Sequence, residues 1–188
     1  IGATFVSAVP ANHLGQAAVN HLRRYGVDTG YVQQVPGARL GLYFLETGAS
    51  QRPSQVIYDR AGSALAEINR GLFNWAEIFQ GASWFHFTGI TPALGEEVAA
   101  EVLSACKQAR AAGLTVSCDL NYRKKLWSPE KAREIMTGLM PYVDLVIANE
   151  EDAEKTFGIK AAESDVTGGV LSHDAYQWVA EELVARFG

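Results

Sequence analysis

The sequence has 188 residues, a net charge of −5 and 48% hydrophobic residues. A chain of this length can bury a core without disulfides, and its two cysteines lie in apolar patterns, so we expect reduced thiols and a cytoplasmic location. The acidic balance argues against a nucleic-acid partner, and the absence of an apolar run of about 18 residues argues against a membrane span.

Strand and helix patterns then alternate along most of the chain. In chain order they predict strand 3–9, helix 13–26, strands 30–37, 39–46 and 54–60, helix 74–81, strand 83–90, helix 93–113, strand 114–121, a helix from Pro129 capped by Ser128, strand 143–149, helix 150–158 and helix 172–188 capped by Ser172. Near-continuous apolar strands between helices favour an α/β fold whose parallel sheet is covered by helices on both faces.

The short strands near the start of the chain form a different pattern. They are rich in Gly, Pro and Ser, which predicts a small β lid over 31–61 beside an α/β core formed by 1–30 and 62–188. Alternate residues of a strand share a face, so Tyr58 and Arg60 point the same way, and Tyr43 on the preceding strand could face them. Tyr58 could stack on a sugar ring while Arg60 binds its carboxylate. Alternatively, the two residues could simply form the polar outer face of a lid.

Polar residues follow three of the predicted parallel strands. The stretches are "TGIT" at 88–91, "DLNYRKK" at 119–125 and "ANEED" at 148–152. Ligands of open parallel sheets bind beyond the carboxyl ends of the strands, so these stretches should share one edge. Arg123 is the best candidate for an anion ligand, because a guanidinium binds carboxylate or phosphate through two parallel hydrogen bonds. Lys124 and Lys125 are expected to be solvated.

Two further polar residues allow more than one interpretation. Asn149 could contact a phosphate or a metal-bound water, it could cap the helix that follows, or it could do both. His86 alternates with apolar neighbours, which favours a hydrogen-bonded interior histidine over a ligand. The sequence contains no GxxxxGK[ST] phosphate loop and no GxSxG elbow, which argues against a P-loop enzyme and a serine hydrolase.

Four stretches together resemble the ribokinase-like (carbohydrate kinase) family, and within it the sugar-acid kinases that act on 2-keto-3-deoxygluconate. They are "GLYFLETGASQRPSQVIYDRAGSA", "FHFTGITPAL", "SCDLNYRKKLWSPEKAR" and "VIANEEDAEKTFG", in that order. The resemblance implies a parallel α/β sheet with a β lid, phosphorylation of the sugar acid to its 6-phosphate, ATP and Mg²⁺ as cofactors, and a homodimer or higher oligomer formed through the lid.

The resemblance also implies roles for individual residues. Tyr43, Tyr58 and Arg60 would contact the sugar acid from the lid, and Ile90 would line the sugar pocket. The nucleotide would be bound by Asn121, Tyr122, Arg123 and Asn149, with Arg123 reaching the substrate as well and stabilising charge during phosphoryl transfer. Two arginines suit an acidic substrate, because a neutral sugar would not need both.

The chain departs from the family pattern in two respects. The usual Asn-x-x-Glu is here Asn149 to Asp152, and the resemblance implies that Asp152, with a side chain one methylene shorter, would contact Mg²⁺ through water. The Gly-Ala-Gly-Asp motif that carries the family's catalytic base does not occur in the sequence. We therefore expect the chain to be an internal piece of a kinase, inactive alone, with its base outside these residues.

Three alternatives remain open at this stage. The substrate could be 5-keto-2-deoxygluconate, fructose or ribose instead. The chain could be a non-catalytic module for sugar binding or dimerisation, which would bind a sugar acid tightly without turnover. It could also be a nucleotide-binding α/β domain that ignores sugars.

Overall fold

The computed structural model describes residues 2–160 and 173–188. Its helices and strands, in chain order, are β1 (Ser7–Pro10), α1 (His13–Arg23), β2 (Val32–Val35), β3 (Leu42–Glu46), β4 (Gln55–Asp59), α2 (Trp75–Ile78), β5 (Trp84–Thr88), α3 (Glu96–Ala111), β6 (Thr115–Asp119), α4 (Pro129–Leu139), β7 (Leu145–Ile147), α5 (Glu150–Phe157) and α6 (His173–Phe187). Within the described ranges, no helix is long and apolar enough to cross a membrane.

The chain divides into two compact units, Ile1–Phe73 and Asn74–Gly188. In the first unit, β1 and β2 pair in parallel and enclose a small core of Val9, Val19 and Val32 with α1. The segment predicted as a lid therefore does not form a single sheet, because β2 joins β1 while β3 and β4 pair with each other. The division of the chain into a core and a lid over 31–61 stays a prediction.

Strands β3 and β4 form an antiparallel pair that we call the lid hairpin. Its register places Tyr43 opposite Tyr58 and Phe44 opposite Ile57. Nearly every residue of the two strands is exposed, including large apolar side chains on both faces. A two-stranded sheet of this kind is marginal in water by itself.

The second unit contains a parallel sheet in the order β5-β6-β7. Helix α3 lies against this sheet and buries a continuous apolar stripe consisting of Val98, Val102, Ala105, Cys106 and Ala109. The predicted α/β class with parallel strands and flanking helices is confirmed. Both cysteines are free and buried, as expected, and burial raises the pKa of the Cys106 thiol to about 12.

One face of this sheet differs from the expectation. The sequence predicts helices over both faces, yet Trp84 is 54% exposed, and Leu145 and Ile147 are also exposed. His86, predicted to be interior, is exposed too, although its Nδ1 lies 2.7 Å from the Ser117 hydroxyl. The interior prediction for His86 was wrong because the apolar alternation of β5 belongs to the opposite face, where Phe87 is buried.

The helix boundaries follow local capping chemistry. Ser128 accepts a hydrogen bond from the Lys131 N–H with Pro129 at the first helical position, as predicted. Gly158 ends α5 with a φ of 73°, a left-handed conformation that favours glycine. The predicted cap Ser172 lies outside the described residues.

Candidate active site

The carboxyl ends of the three parallel strands lie side by side. Thr88 pairs in register with Asp119, and Asp119 with Ile147. The backbone ladder continues beyond the strands, with the Gly89 N–H donating to the Asp119 carbonyl at 2.7 Å and the Leu120 N–H donating to the Ile147 carbonyl at 2.9 Å. The polar stretches that follow β5, β6 and β7 therefore share one edge, as the sequence predicted.

Asn121 connects the segment after β6, residues 120–127, to the end of β5. We call this segment the β6 loop. Asn121 has a φ of 42°, a left-handed conformation that asparagine tolerates better than most residues, and its Nδ2 donates to the Thr88 hydroxyl at 3.2 Å. The Ile90 N–H donates to the same hydroxyl at 3.4 Å. Thr88 thus connects two predicted site residues, Ile90 and Asn121.

Tyr122 anchors the β6 loop. It is only 8% exposed, its hydroxyl donates to the Trp127 carbonyl at 3.2 Å, and its backbone N–H donates to Asp152 Oδ1 at 2.8 Å. A buried ring cannot offer its face to a ligand. Its predicted place beside a nucleotide therefore depends on its backbone and on the loop that it holds.

Arg123 is an exposed cation at this edge. Its Nη1 donates to the Tyr122 carbonyl at 2.8 Å, which uses one of the five N–H donors of a guanidinium. Lys124 and Lys125 follow it and are exposed, as expected. An exposed arginine on an anchored loop is suited to binding an anion that arrives from solvent.

Asn149 caps α5 and forms a reciprocal pair with Asp152. The Asp152 N–H donates to Asn149 Oδ1 at 2.8 Å, and the Asn149 N–H donates to Asp152 Oδ2 at 3.4 Å. The capping interpretation of Asn149 is therefore confirmed, while its contact with a nucleotide stays a prediction. Burial raises the pKa of the Asp152 carboxyl, and the backbone N–H groups of Tyr122 and Asn149 offset part of that effect.

The carboxylate of Asp152 is poorly suited to a cation. It is 7% exposed, and each of its two oxygens already accepts a backbone N–H. In the described residues, no group of three His, Cys, Asp or Glu side chains could hold a metal ion. Because Mg²⁺ keeps several waters in its shell, a water-mediated contact would need a more accessible carboxylate than this one.

The lid hairpin carries the second set of predicted residues. Tyr43 lies opposite Tyr58, and the Arg60 guanidinium stands 4.2 Å from the centroid of the Tyr58 ring. Both tyrosines are exposed, and Arg60 is half-buried. The stacking confirms that Tyr58 and Arg60 share a face, and such a cation–π contact holds the arginine in place while its edge remains available to an anion.

Arg39 supports this arrangement and was not predicted from the sequence. Its guanidinium donates to the Asp59 carbonyl, the Asp59 carboxylate and the Ala61 carbonyl, on both sides of Arg60. Thr88, Arg39 and the Asp152 contact to Tyr122 all join residues far apart in sequence. A spacing pattern cannot show such pairs, although Thr88 stands in a stretch that the sequence had singled out.

Comparisons with known proteins agree with this fold. A family model of pfkB family carbohydrate kinases matches residues 1–179. The chain belongs to the pfkB family of carbohydrate kinases. This finding confirms the ribokinase-like resemblance and the assignment as a carbohydrate kinase fold.

Individual pfkB relatives include kinases for different sugars. The chain is 39% identical over 150 residues to a 2-dehydro-3-deoxygalactonokinase of Haloferax volcanii, covering 80% of this chain and 46% of that protein. It is 31% identical over 170 residues to fructokinase-1 of Oryza sativa subsp. japonica, covering 88% of this chain and 50% of that protein. The chain spans about half the length of the curated relatives it matches.

A solved structure shows the same architecture. The crystal structure of 2-dehydro-3-deoxygluconokinase from Thermotoga maritima superimposes with a TM-score of 0.90 at 49% identity, covering 98% of this chain and 55% of that one. The arrangement of strands and helices described above is therefore that of a known sugar kinase.

Proposed function

We propose that the protein takes part in the ATP-dependent phosphorylation of 2-keto-3-deoxygluconate, also called 2-dehydro-3-deoxygluconate, to its 6-phosphate in the cytoplasm. The observation that favours an acidic substrate is the position of the Arg60 guanidinium, 4.2 Å from the centroid of the Tyr58 ring. A tyrosine face suits a sugar, and an arginine fixed beside it suits a carboxylate. Tyr43, across from Tyr58 on the same hairpin, would add a second aromatic contact with the sugar.

The nucleotide is proposed to bind at the edge formed by the strand ends. Arg123 would contact the phosphates and would stabilise the charge on the phosphoryl group as it moves. Asn121, the backbone of Tyr122 and Asn149 would lie beside the nucleotide. ATP would arrive as its Mg²⁺ complex, in which the metal offsets phosphate charge.

The relatives support a sugar kinase, and their names keep neutral sugars as a second possible class of substrate. Two of them act on 2-dehydro-3-deoxy sugar acids by name, whereas fructokinase-1 of Oryza sativa subsp. japonica is named for a neutral sugar. Fructose is therefore the second candidate, with ribose, also neutral, behind it, and 5-keto-2-deoxygluconate is a further candidate within the acidic class. Arg60 decides between the classes, because only an acid gains an ion pair from it.

The lid hairpin is also proposed to join two copies of the chain. The face opposite Tyr43 and Tyr58 exposes Leu42, Phe44 and Ile57. Exposed apolar side chains on a short hairpin are typical of surfaces that pair with another chain. Light scattering should give the mass of a dimer or higher oligomer at micromolar concentration, and a monomer mass there would contradict the proposal.

Calorimetric binding tests the proposed function on the 188 residues themselves. The sequence contains no Gly-Ala-Gly-Asp, so we expect binding of 2-keto-3-deoxygluconate and of MgATP without consumption of ATP. Gluconate, fructose and ribose serve as competitors, and fructose and ribose should bind more weakly than the keto acid. Equal binding of all four sugars, or binding of ATP alone, would contradict the proposal.

A further inference from the structure

We infer that Asp152 is a positioning residue that fixes the β6 loop and thereby Arg123, and that it is not a contact for Mg²⁺. Its Oδ1 accepts the Tyr122 N–H at 2.8 Å, and its Oδ2 accepts the Asn149 N–H at 3.4 Å. One buried carboxylate therefore ties the start of α5 to a loop that lies 30 residues away in sequence. For its effect on nucleotide binding, the inference rests on the proposed function.

The three residues before Arg123 are each fixed by a different element. The Leu120 N–H bonds to the end of β7, and the Asn121 side chain bonds to Thr88 at the end of β5. The Tyr122 N–H bonds to Asp152 in α5. Arg123 follows directly, and its guanidinium donates back to the Tyr122 carbonyl. The Asp152 contact to Tyr122 is therefore the last one before Arg123 that fixes the backbone carrying this side chain.

A carboxylate is the group that this position requires. Two backbone N–H groups approach the same side chain, and only a carboxylate presents two acceptor oxygens to them. An amide would turn its NH₂ toward one of those donors. Hydrogen bonds to an ionised acceptor are also about twice as strong as neutral ones, which offsets part of the cost of burying the charge.

The first test measures amide hydrogen exchange in the ligand-free chain. Asp152→Asn should speed exchange of the Tyr122 amide by about tenfold, the effect expected when a hydrogen bond to a charged group is lost. Glu151→Gln is the matched control, because it removes the same charge from the adjacent, exposed residue. Equal exchange in the two variants would overturn the inference.

The second test separates positioning from metal binding. ATP affinity of Asp152→Asn is measured with and without Mg²⁺. Positioning predicts the same loss, about tenfold, in both conditions, because the metal-independent contact of Arg123 is what weakens. A loss that appears only with Mg²⁺ would assign Asp152 to the metal and overturn the inference.

The role of Asp152 can be tested even if the variant does not fold or the chain binds no ATP. If Asp152→Asn fails to fold, the unchanged protein still decides, because its Tyr122 amide must exchange slowly, and rapid exchange there would overturn the inference. If the unchanged chain binds no ATP, the proposed function fails, while the exchange experiment still decides the role of Asp152.

Discussion

Arg60 and Arg123 are held in two different ways. Arg60 is stacked on Tyr58 at the end of an exposed two-stranded hairpin, with the Arg39 contacts on either side of it. Arg123 stands on a loop whose preceding residues are hydrogen-bonded to elements of a packed α/β unit. The comparison shows that the hairpin holds its cation through a tyrosine ring and the Arg39 contacts, whereas the strand-end edge draws its order from the core beneath it.

The largest expected difference between the two regions is in stability. Met136 of α4 is fully buried, so Met136→Ala should lower the free energy of unfolding by about 2–5 kcal/mol, the cost of a cavity in a packed core. Leu45 of the lid hairpin is exposed and lies on the Tyr43 face, not on the apolar face proposed to join two copies, so Leu45→Ala should change the free energy of unfolding by no more than about 0.5 kcal/mol.

Urea denaturation measures both variants under the same conditions. The comparison fails if Leu45→Ala destabilises the protein as much as Met136→Ala. Such a result would mean that the lid hairpin contributes to the core in solution.

The second prediction concerns the lid arginine. Arg60→Ala should weaken binding of 2-keto-3-deoxygluconate by about 10- to 100-fold, since a hydrogen bond to a charged group contributes about 1.5–3 kcal/mol. Arg60→Lys keeps the charge but loses the planar fork, so its affinity for 2-keto-3-deoxygluconate should lie between those of the unchanged protein and Arg60→Ala. Calorimetry with fructose is the control, because a neutral sugar should bind both variants alike.

The third prediction concerns the strand-end arginine. Arg123→Ala should weaken binding of ATP by about tenfold, and the loss should shrink as salt is raised, because charge on an exposed side chain is screened. Lys124→Ala is the matched control, since it removes an adjacent exposed cation and should change the affinity by less than about twofold. Equal losses in both variants would show that only the general positive charge of the β6 loop matters.

The smallest expected effect is on acid stability and concerns Asp144. Its carboxylate accepts the Val116 N–H near the start of β6, whereas Arg123 follows the end of that strand. The backbone N–H of Val116, then the Arg110 guanidinium, hold the pKa of this carboxyl below its ordinary value of 3.8. A lowered folded-state pKa adds stability that is present above the ordinary value and is lost as pH falls through the folded-state pKa. The contribution should stay under about 1 kcal/mol because the pair is partly exposed.

Thermal unfolding between neutral pH and pH 3 measures this contribution. Asp144→Asn should flatten the acid limb of the profile. Glu134→Gln, which removes an exposed carboxylate paired with Lys131, should leave that limb unchanged. An identical acid limb for Asp144→Asn and the unchanged protein would contradict the assignment.

The sequence predicted the helices, the strands and the shared strand edge because their signals are local. Ser128 and Asn149 stand at helix starts, and the apolar spacing of α3 marks its buried face. Which strands pair with each other was harder to predict. Nothing in the spacing separates β2, which joins β1, from β3 and β4, because the choice of partner depends on the folded core.

The site was predictable to a similar extent. Tyr58 and Arg60 follow from strand alternation, and Arg123 from its place after a buried strand. The role of Asp152 was not predictable, because its partner Tyr122 is 30 residues away and the family pattern suggested a metal contact. Sequence patterns show which residues are available, whereas hydrogen bonds between distant segments show what those residues hold.

The central claim is that the protein recognises the carboxylate of a sugar acid. It is tested most directly by titrating the unchanged protein with 2-keto-3-deoxygluconate and with its methyl ester, which differ in charge at one group. The ester should bind at least about tenfold more weakly, as expected for loss of a charged hydrogen-bond partner. Equal affinity for the acid and the ester would contradict it and would favour a neutral sugar as the substrate.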